Sequence, residues 1–145
     1  MRRVVVTGMG AVTPIGNDVP TYWENLKAGK CGVGPLTKFD CTDYKASLAA
    51  EVQDFDPTLY LDKGEVRKTD LFTQYAIASA VQAMNDSGIE GTIDPTRMGV
   101  YFGSGIGGII TTTEQIRVLN EKGPRRVSPH TIPMMISNMA GGLIA

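Results

Sequence analysis

The sequence predicts an α/β fold with a largely buried sheet, and three observations carry that reading. Val4-Val5-Val6 is a continuous β-branched run closed by Thr7-Gly8, the pattern of a strand covered on both faces. Thr69 to Ser87 carries apolar residues at three- and four-residue intervals, the pattern of an amphipathic helix. Met98-Gly99-Val100-Tyr101-Phe102 is a second strand-like run, followed by a glycine-rich stretch and another helical segment. Strand, helix, strand, helix in that order argues for helices packed on a sheet.

Each element has a local signal. Asp18 to Ala28 reads as a helix, with Pro20 in its first turn and Gly29 just past its end. Turn-forming residues dominate Lys30 to Tyr44, which is expected as loop, and Ser47 to Val52 is expected as a strand. In the long helix the stripe is Phe72, Ala76, Ala80, Ala83 and Met84, flanked by Leu71 and Tyr75. Ser79 on that face is small enough for close packing, and Gly88 supplies the stop. Thr111 to Glu121 reads as a helix, and Pro133 opens another that runs apolar and uncapped to Ala145. That ending predicts a chain cut inside a buried helix, hence one truncated domain over residues 1–145.

Composition narrows the classes. Hydrophobic residues make up 42% and charged residues 20% of the chain, with a net charge of −1, ordinary for a soluble globular protein and wrong for a polyanion binder. Nucleic acid is therefore not an expected partner. No run approaches the roughly 20 apolar residues that span a bilayer. The apolar start breaks at Thr7-Gly8, short of a signal peptide. Cys31 and Cys41 match no zinc or redox spacing, and with His130 as the single histidine a His-based metal site is not expected. A cytoplasmic protein with reduced thiols follows.

Two glycine segments invite a nucleotide-binding reading. Gly103, Gly105 and Gly108 satisfy G-x-G-x-x-G after a strand-like run. The pattern needs an acidic residue about 20 positions on at the end of a strand, and the nearest candidate, Glu121, falls at an expected helix end. Gly8-Met9-Gly10 lacks a third glycine in place. Ser104 is no nucleophile elbow, because Phe102 stands where the elbow needs glycine. What both segments do permit is close approach of backbone to another surface, since no Cβ intervenes.

Four blocks point to a family. Arg3-Val4-Val5-Val6-Thr7-Gly8-Met9-Gly10 with Thr13-Pro14-Ile15-Gly16 resembles the start of the β-ketoacyl-acyl-carrier-protein synthases. So do Gln82 to Gly88, Gly103 to Gly108, and Ser128-Pro129 with Ile132 to Ala140, in family order. The Gly-Ser-Gly-Ile-Gly-Gly form is most similar to the type II elongating synthases.

The resemblance implies the N-terminal half of a thiolase-like fold, incomplete here, from an enzyme that is usually a homodimer. It implies decarboxylative condensation of an acyl chain with malonyl-acyl-carrier protein, without metal or organic cofactor. The family's cysteine nucleophile and two histidines lie beyond Ala145, so no catalytic residue is expected in this chain, which should be inactive alone. Cys31, Cys41 and His130 match none of them; the family commonly has an aromatic residue at the place of His130.

Two further roles carry over. Ile106 matches the residue that lines the acyl tunnel. Lys63, Arg67, Lys68, Arg125 and Arg126 match basic residues that dock the acidic acyl carrier protein, although Gly64 replaces the second member of a basic doublet. A polyketide ketosynthase or chain-length factor shares these early motifs. A nucleotide-binding or interaction module is the alternative of another class.

Overall fold

The computed structural model describes residues 2–145. Its elements in chain order are α1 (Val19–Lys27), β1 (Val33–Pro35), β2 (Leu48–Ala50), α2 (Lys63–Val66), α3 (Leu71–Ser87), α4 (Ile109–Lys122), α5 (Thr131–Met135) and α6 (Met139–Ile144). Single 3-10 turns at Pro57–Leu59, Pro95–Arg97 and Pro124–Arg126 join them. Each turn begins at a proline, whose fixed φ suits a helical first position.

α3 is the organising element. Asp70 caps its start by accepting from Phe72 N–H, and Gly88 ends it in the left-handed conformation at φ 60°, which glycine adopts without a Cβ penalty. The helix packs chiefly on α6, while α4 packs on α5 and on the turn at Pro124–Arg126. Its most buried positions lie in the first half and are partly polar: Thr73, Gln74, Ala76 and Ala78. The expected stripe is therefore only half-buried at Phe72, Ala80, Ala83 and Met84.

The sheet departs from the expectation. It is a two-stranded antiparallel ladder, β1 on β2, with Val33 opposite Ala50 and Pro35 opposite Leu48. β1 lies inside the segment expected as loop. Val4–Val6 and Met98–Phe102 are not strands here, because neither has a ladder partner among the described residues. Residues 8–11 and 100–102 instead border one open cleft of about 550 Å³ over Ala76, Ser79, Ala80 and Ala83. A β-branched run without a neighbour gains no hydrogen bonds and stays wet: Val4 is 92% exposed and Tyr101 100%.

The fully buried apolar residues among those described are Ala76, Ala78 and Ala140. The chain exposes 10758 Å², where a compact monomer of its mass would expose about 7,200 Å². Among the exposed large apolar residues are Val4, Val6 and Tyr101 and the isoleucines Ile106, Ile109, Ile110 and Ile132. None of the helices among the described residues is long and apolar enough to cross a membrane.

Candidate functional site

Both glycine segments meet helices, and the amides of Met9, Ala11, Gly107 and Gly108 have acceptors. Met9 N–H donates to Asp86 Oδ2 at 2.9 Å and Ala11 N–H to Gln82 Oε1 at 3.0 Å. The side-chain amide of Gln82 also donates to Asn17 O at 2.8 Å and to the Tyr60 hydroxyl at 3.0 Å. One glutamine on α3 thus pins three separate stretches of chain. A Cβ on Gly8 would stand 2.6 Å from Ser87 N, and one on Gly10 would strike the Ser79 carbonyl. Close approach to α3 is the reason for both glycines, and Ser79 is the small residue that permits it.

The loop at residues 103–108 is closed on one side only. Gly107 N–H donates to Ser104 Oγ at 2.9 Å, and Gly108 N–H to Met135 O at 3.0 Å. A Cβ on Gly108 would meet the Met134 carbonyl, and Gly107 sits at φ 73° against Met135 O. These two amides therefore do not form a phosphate cradle. Gly103 and Gly105 face open space, and Ile106 between the two halves of the loop is 72% exposed.

α4 begins directly after this loop with Gly108 at its N-cap, which has no side chain to satisfy the first-turn N–H groups. Asp70 supplies the missing acceptor from 41 positions away. Its carboxylate, 4% exposed, accepts at Oδ2 from Thr111 N–H at 2.9 Å and from the Thr111 hydroxyl at 2.6 Å. Its Oδ1 accepts from Phe72 N–H at 3.2 Å. One carboxylate thus caps two helices. Sequence reading missed this residue: Asp before an apolar helix signals the cap of α3, but nothing local signals α4.

The expected docking residues fall into two groups. Lys63, Arg67 and Lys68 lie on and just after α2, which is started by a capping box between Asp62 and Glu65. Arg67 Nε donates to Lys63 O at 3.0 Å. The segment is anchored to α3 from below: the Thr69 hydroxyl donates to Glu65 O at 2.8 Å, and Gln74 Nε2 donates to Val66 O at 3.1 Å and Thr69 O at 3.0 Å. Arg125 and Arg126 lie on the 3-10 turn after α4, held near that helix by Ser128 N–H donating to Gln115 Oε1 at 2.8 Å. All five basic residues are exposed. The ion pairs among the described residues, Lys27 with Glu24 and Arg117 with Glu114, involve none of them.

The remaining candidates are surface groups. Cys31 is exposed and Cys41 half-buried, both free thiols. His130 is exposed at the start of α5 and borders a groove of about 420 Å³ shared with Lys68, Glu65, Tyr60 and Met139. Burial against Phe55, at a ring-centroid distance of 4.9 Å, pushes the Tyr75 phenol up from its ordinary pKa. No cluster of three or more His, Cys, Asp or Glu among the described residues is arranged to hold a metal ion.

The sequence pattern of the β-ketoacyl synthase N-terminal domain matches residues 1–145. The chain belongs to that family. Among its relatives are 3-oxoacyl-[acyl-carrier-protein] synthase 2 of Coxiella burnetii, 49% identical over 145 residues, and that of Synechocystis, 46% identical over 145 residues. The Staphylococcus aureus synthase 2 is 47% identical over 147 residues. Each match covers 99% of this chain and 35% of the relative, so the chain spans about a third of their length.

Solved structures agree on the fold. The ishigamide ketosynthase/chain length factor superposes with a TM-score of 0.81 at 27% identity, covering 99% of this chain and 36% of that one. A β-ketoacyl synthase from Burkholderia phymatum gives 0.79 at 26%, over 99% and 36%. A type II PKS ketosynthase in complex with its acyl-carrier protein and bound to the hexaketide gives 0.78 at 25%, over 99% and 38%. This β-ketoacyl synthase domain thus shares its fold with solved ketosynthases over 99% of its length.

Proposed function

We propose that this chain is the N-terminal segment of a 3-oxoacyl-[acyl-carrier-protein] synthase that elongates acyl chains in the cytoplasm as a homodimer. The observation that carries the reading is identity of 46–49% to three such synthases across 99% of the chain. In the proposed reaction a cysteine thiolate beyond Ala145 takes the acyl group from one carrier protein and releases that carrier's thiol. Malonyl-carrier protein then loses carbon dioxide, and the resulting carbanion attacks the acyl thioester and expels the cysteine thiolate. The donors that stabilise the charge on the thioester oxygen are the two family histidines, also beyond Ala145. The 145-residue chain is thus the truncated N-terminal domain and catalyses nothing alone.

Its own residues bind and orient. Ile106 stands exposed just before the held Gly107 and Gly108, and its side chain forms part of the acyl tunnel wall once that wall is complete. Lys63, Arg67, Lys68, Arg125 and Arg126 are exposed and free of acidic partners among the described residues, which suits them to the acidic carrier protein. Such complementarity raises the encounter rate and sets orientation, and salt weakens it.

The test is an elongation assay with the full-length protein, acyl- and malonyl-carrier protein and no added metal. Formation of the β-ketoacyl product with release of carbon dioxide is expected. Absence of condensation by the full-length protein, or full activity of residues 1–145 alone, overturns the reading. Arg67→Glu should raise KM for carrier protein and flatten its salt dependence.

A polyketide ketosynthase or chain-length factor is the second reading, favoured by two of the structural neighbours. Their identities of 27% and 25% are well below those to the fatty-acid synthases. A poly-β-keto product retained over several extensions, in place of a single β-keto unit, would favour it. So would a residue other than cysteine at the nucleophile position.

A further inference from the structure

We propose that Asp70 is a positioning residue whose carboxylate ties the basic segment at residues 63–68 to the Ile106 loop and thereby sets the length of acyl chain accepted. The inference rests on the function proposed above and deepens it. Its foundation is the double cap already described. Asp70 lies two residues after Lys68 in the chain, and its carboxylate holds the first turn of α4, which emerges from the glycine loop. The backbone at Glu65 and Val66, within the segment that carries Lys63, Arg67 and Lys68, is held to the same helix start through Thr69 and Gln74. Hydrogen bonds thus tie the basic segment's backbone to the start of α3, and Asp70 at that start ties α3 to the first turn of α4, which continues from the loop carrying Ile106.

The site needs a side chain with two acceptor oxygens and no N–H. Three donors converge on Asp70: two on Oδ2 and one on Oδ1. An asparagine offers one acceptor oxygen and turns an N–H toward at least one of those donors. Leaving a buried donor unpaired is costly, and α4 has no cap of its own to replace the lost one. The first turn of α4 then loosens, and with it the backbone at Gly107 and Gly108 that leads back to Ile106. A cap for α3 alone would need only the bond to Phe72; the bonds to Thr111 hold the first turn of α4, which the loop leads into.

The experiment uses the full-length protein carrying Asp70→Asn, Thr111→Val, Thr111→Ser or Ile106→Phe. It compares kcat/KM for a long and a short acyl-carrier protein and follows hydrogen exchange across residues 63–69 and 104–112. Asp70→Asn and Thr111→Val should change the long-to-short ratio by about threefold or more, with Thr111→Ser restoring the wild-type ratio. Exchange should quicken in both segments, although they are far apart in sequence. Should Asp70→Asn fail to fold, Thr111→Val decides, since it removes the hydroxyl bond and keeps the backbone bond. An unchanged ratio in folded Thr111→Val, or exchange that quickens in only one segment, overturns the positioning role. If Ile106→Phe shifts the ratio while both Asp70→Asn and Thr111→Val leave it alone, only this inference falls. A wild-type protein that elongates nothing removes the proposed function and this role together.

Discussion

Residues 8–10 and residues 103–108 look alike on paper and differ in space. The first segment lies along α3 with glycine against backbone at both positions; its Met9 amide donates to Asp86, and the amide of Ala11 just after it to Gln82. The second is pressed onto α5 only at Gly107 and Gly108, whereas Gly103 and Gly105 have nothing within reach. The lesson is that a glycine pattern does not name its purpose. In one place it clears room for a helix, and in the other it clears room on one side and leaves a bulky side chain standing free on the other.

Substitutions can break this contrast or sharpen it. Gly107→Ala should be the most damaging, because it adds left-handed strain to a collision with backbone; a loss of about 2–4 kcal/mol is expected, read as a lowered denaturation midpoint of the full-length protein. Gly10→Ala and Gly108→Ala meet backbone without the φ penalty and should cost about 1–3 kcal/mol. A wild-type midpoint for either would mean that the chain sits farther from its helix than the structure has it. Gln82→Ala strips a half-buried acceptor and donor from three stretches at once, with an expected loss of about 1–2 kcal/mol by the same measurement. Ile106→Phe should leave the midpoint within about 0.5 kcal/mol, as exposed substitutions do, and yet shorten the acyl chains elongated; an unchanged product profile would sink the tunnel assignment. Gly105→Ala should be nearly silent in both readouts.

Local features were legible in the sequence and pairings were not. The long helix, its Gly88 stop, the helix after the glycine loop and the closeness licensed by Gly8 and Gly10 all follow from short-range pattern. α4 starts two residues earlier than the Thr111 expected for it, a small error at a boundary. Val4–Val6 and Met98–Phe102 read as strands because their side chains suit a covered sheet, but strand formation depends on a neighbour that periodicity cannot supply. β1 escaped notice because Val33-Gly34-Pro35 carries turn-formers within the ladder. Of the candidate site, Ile106 and the basic residues could be picked out through family resemblance, and the structure shows them exposed. The bonding roles of Asp70 and Gln82 could not, since each reaches a partner more than 40 positions away.

The surplus of exposed surface has a consequence for biosynthesis. A ribosome adds about 5–20 residues per second, so in a polypeptide of the relatives' length this segment would emerge on the order of tens of seconds before the last residues. During that interval Val4, Val6 and Tyr101 would present bare apolar side chains, a surface open to association until the later residues arrive to cover it.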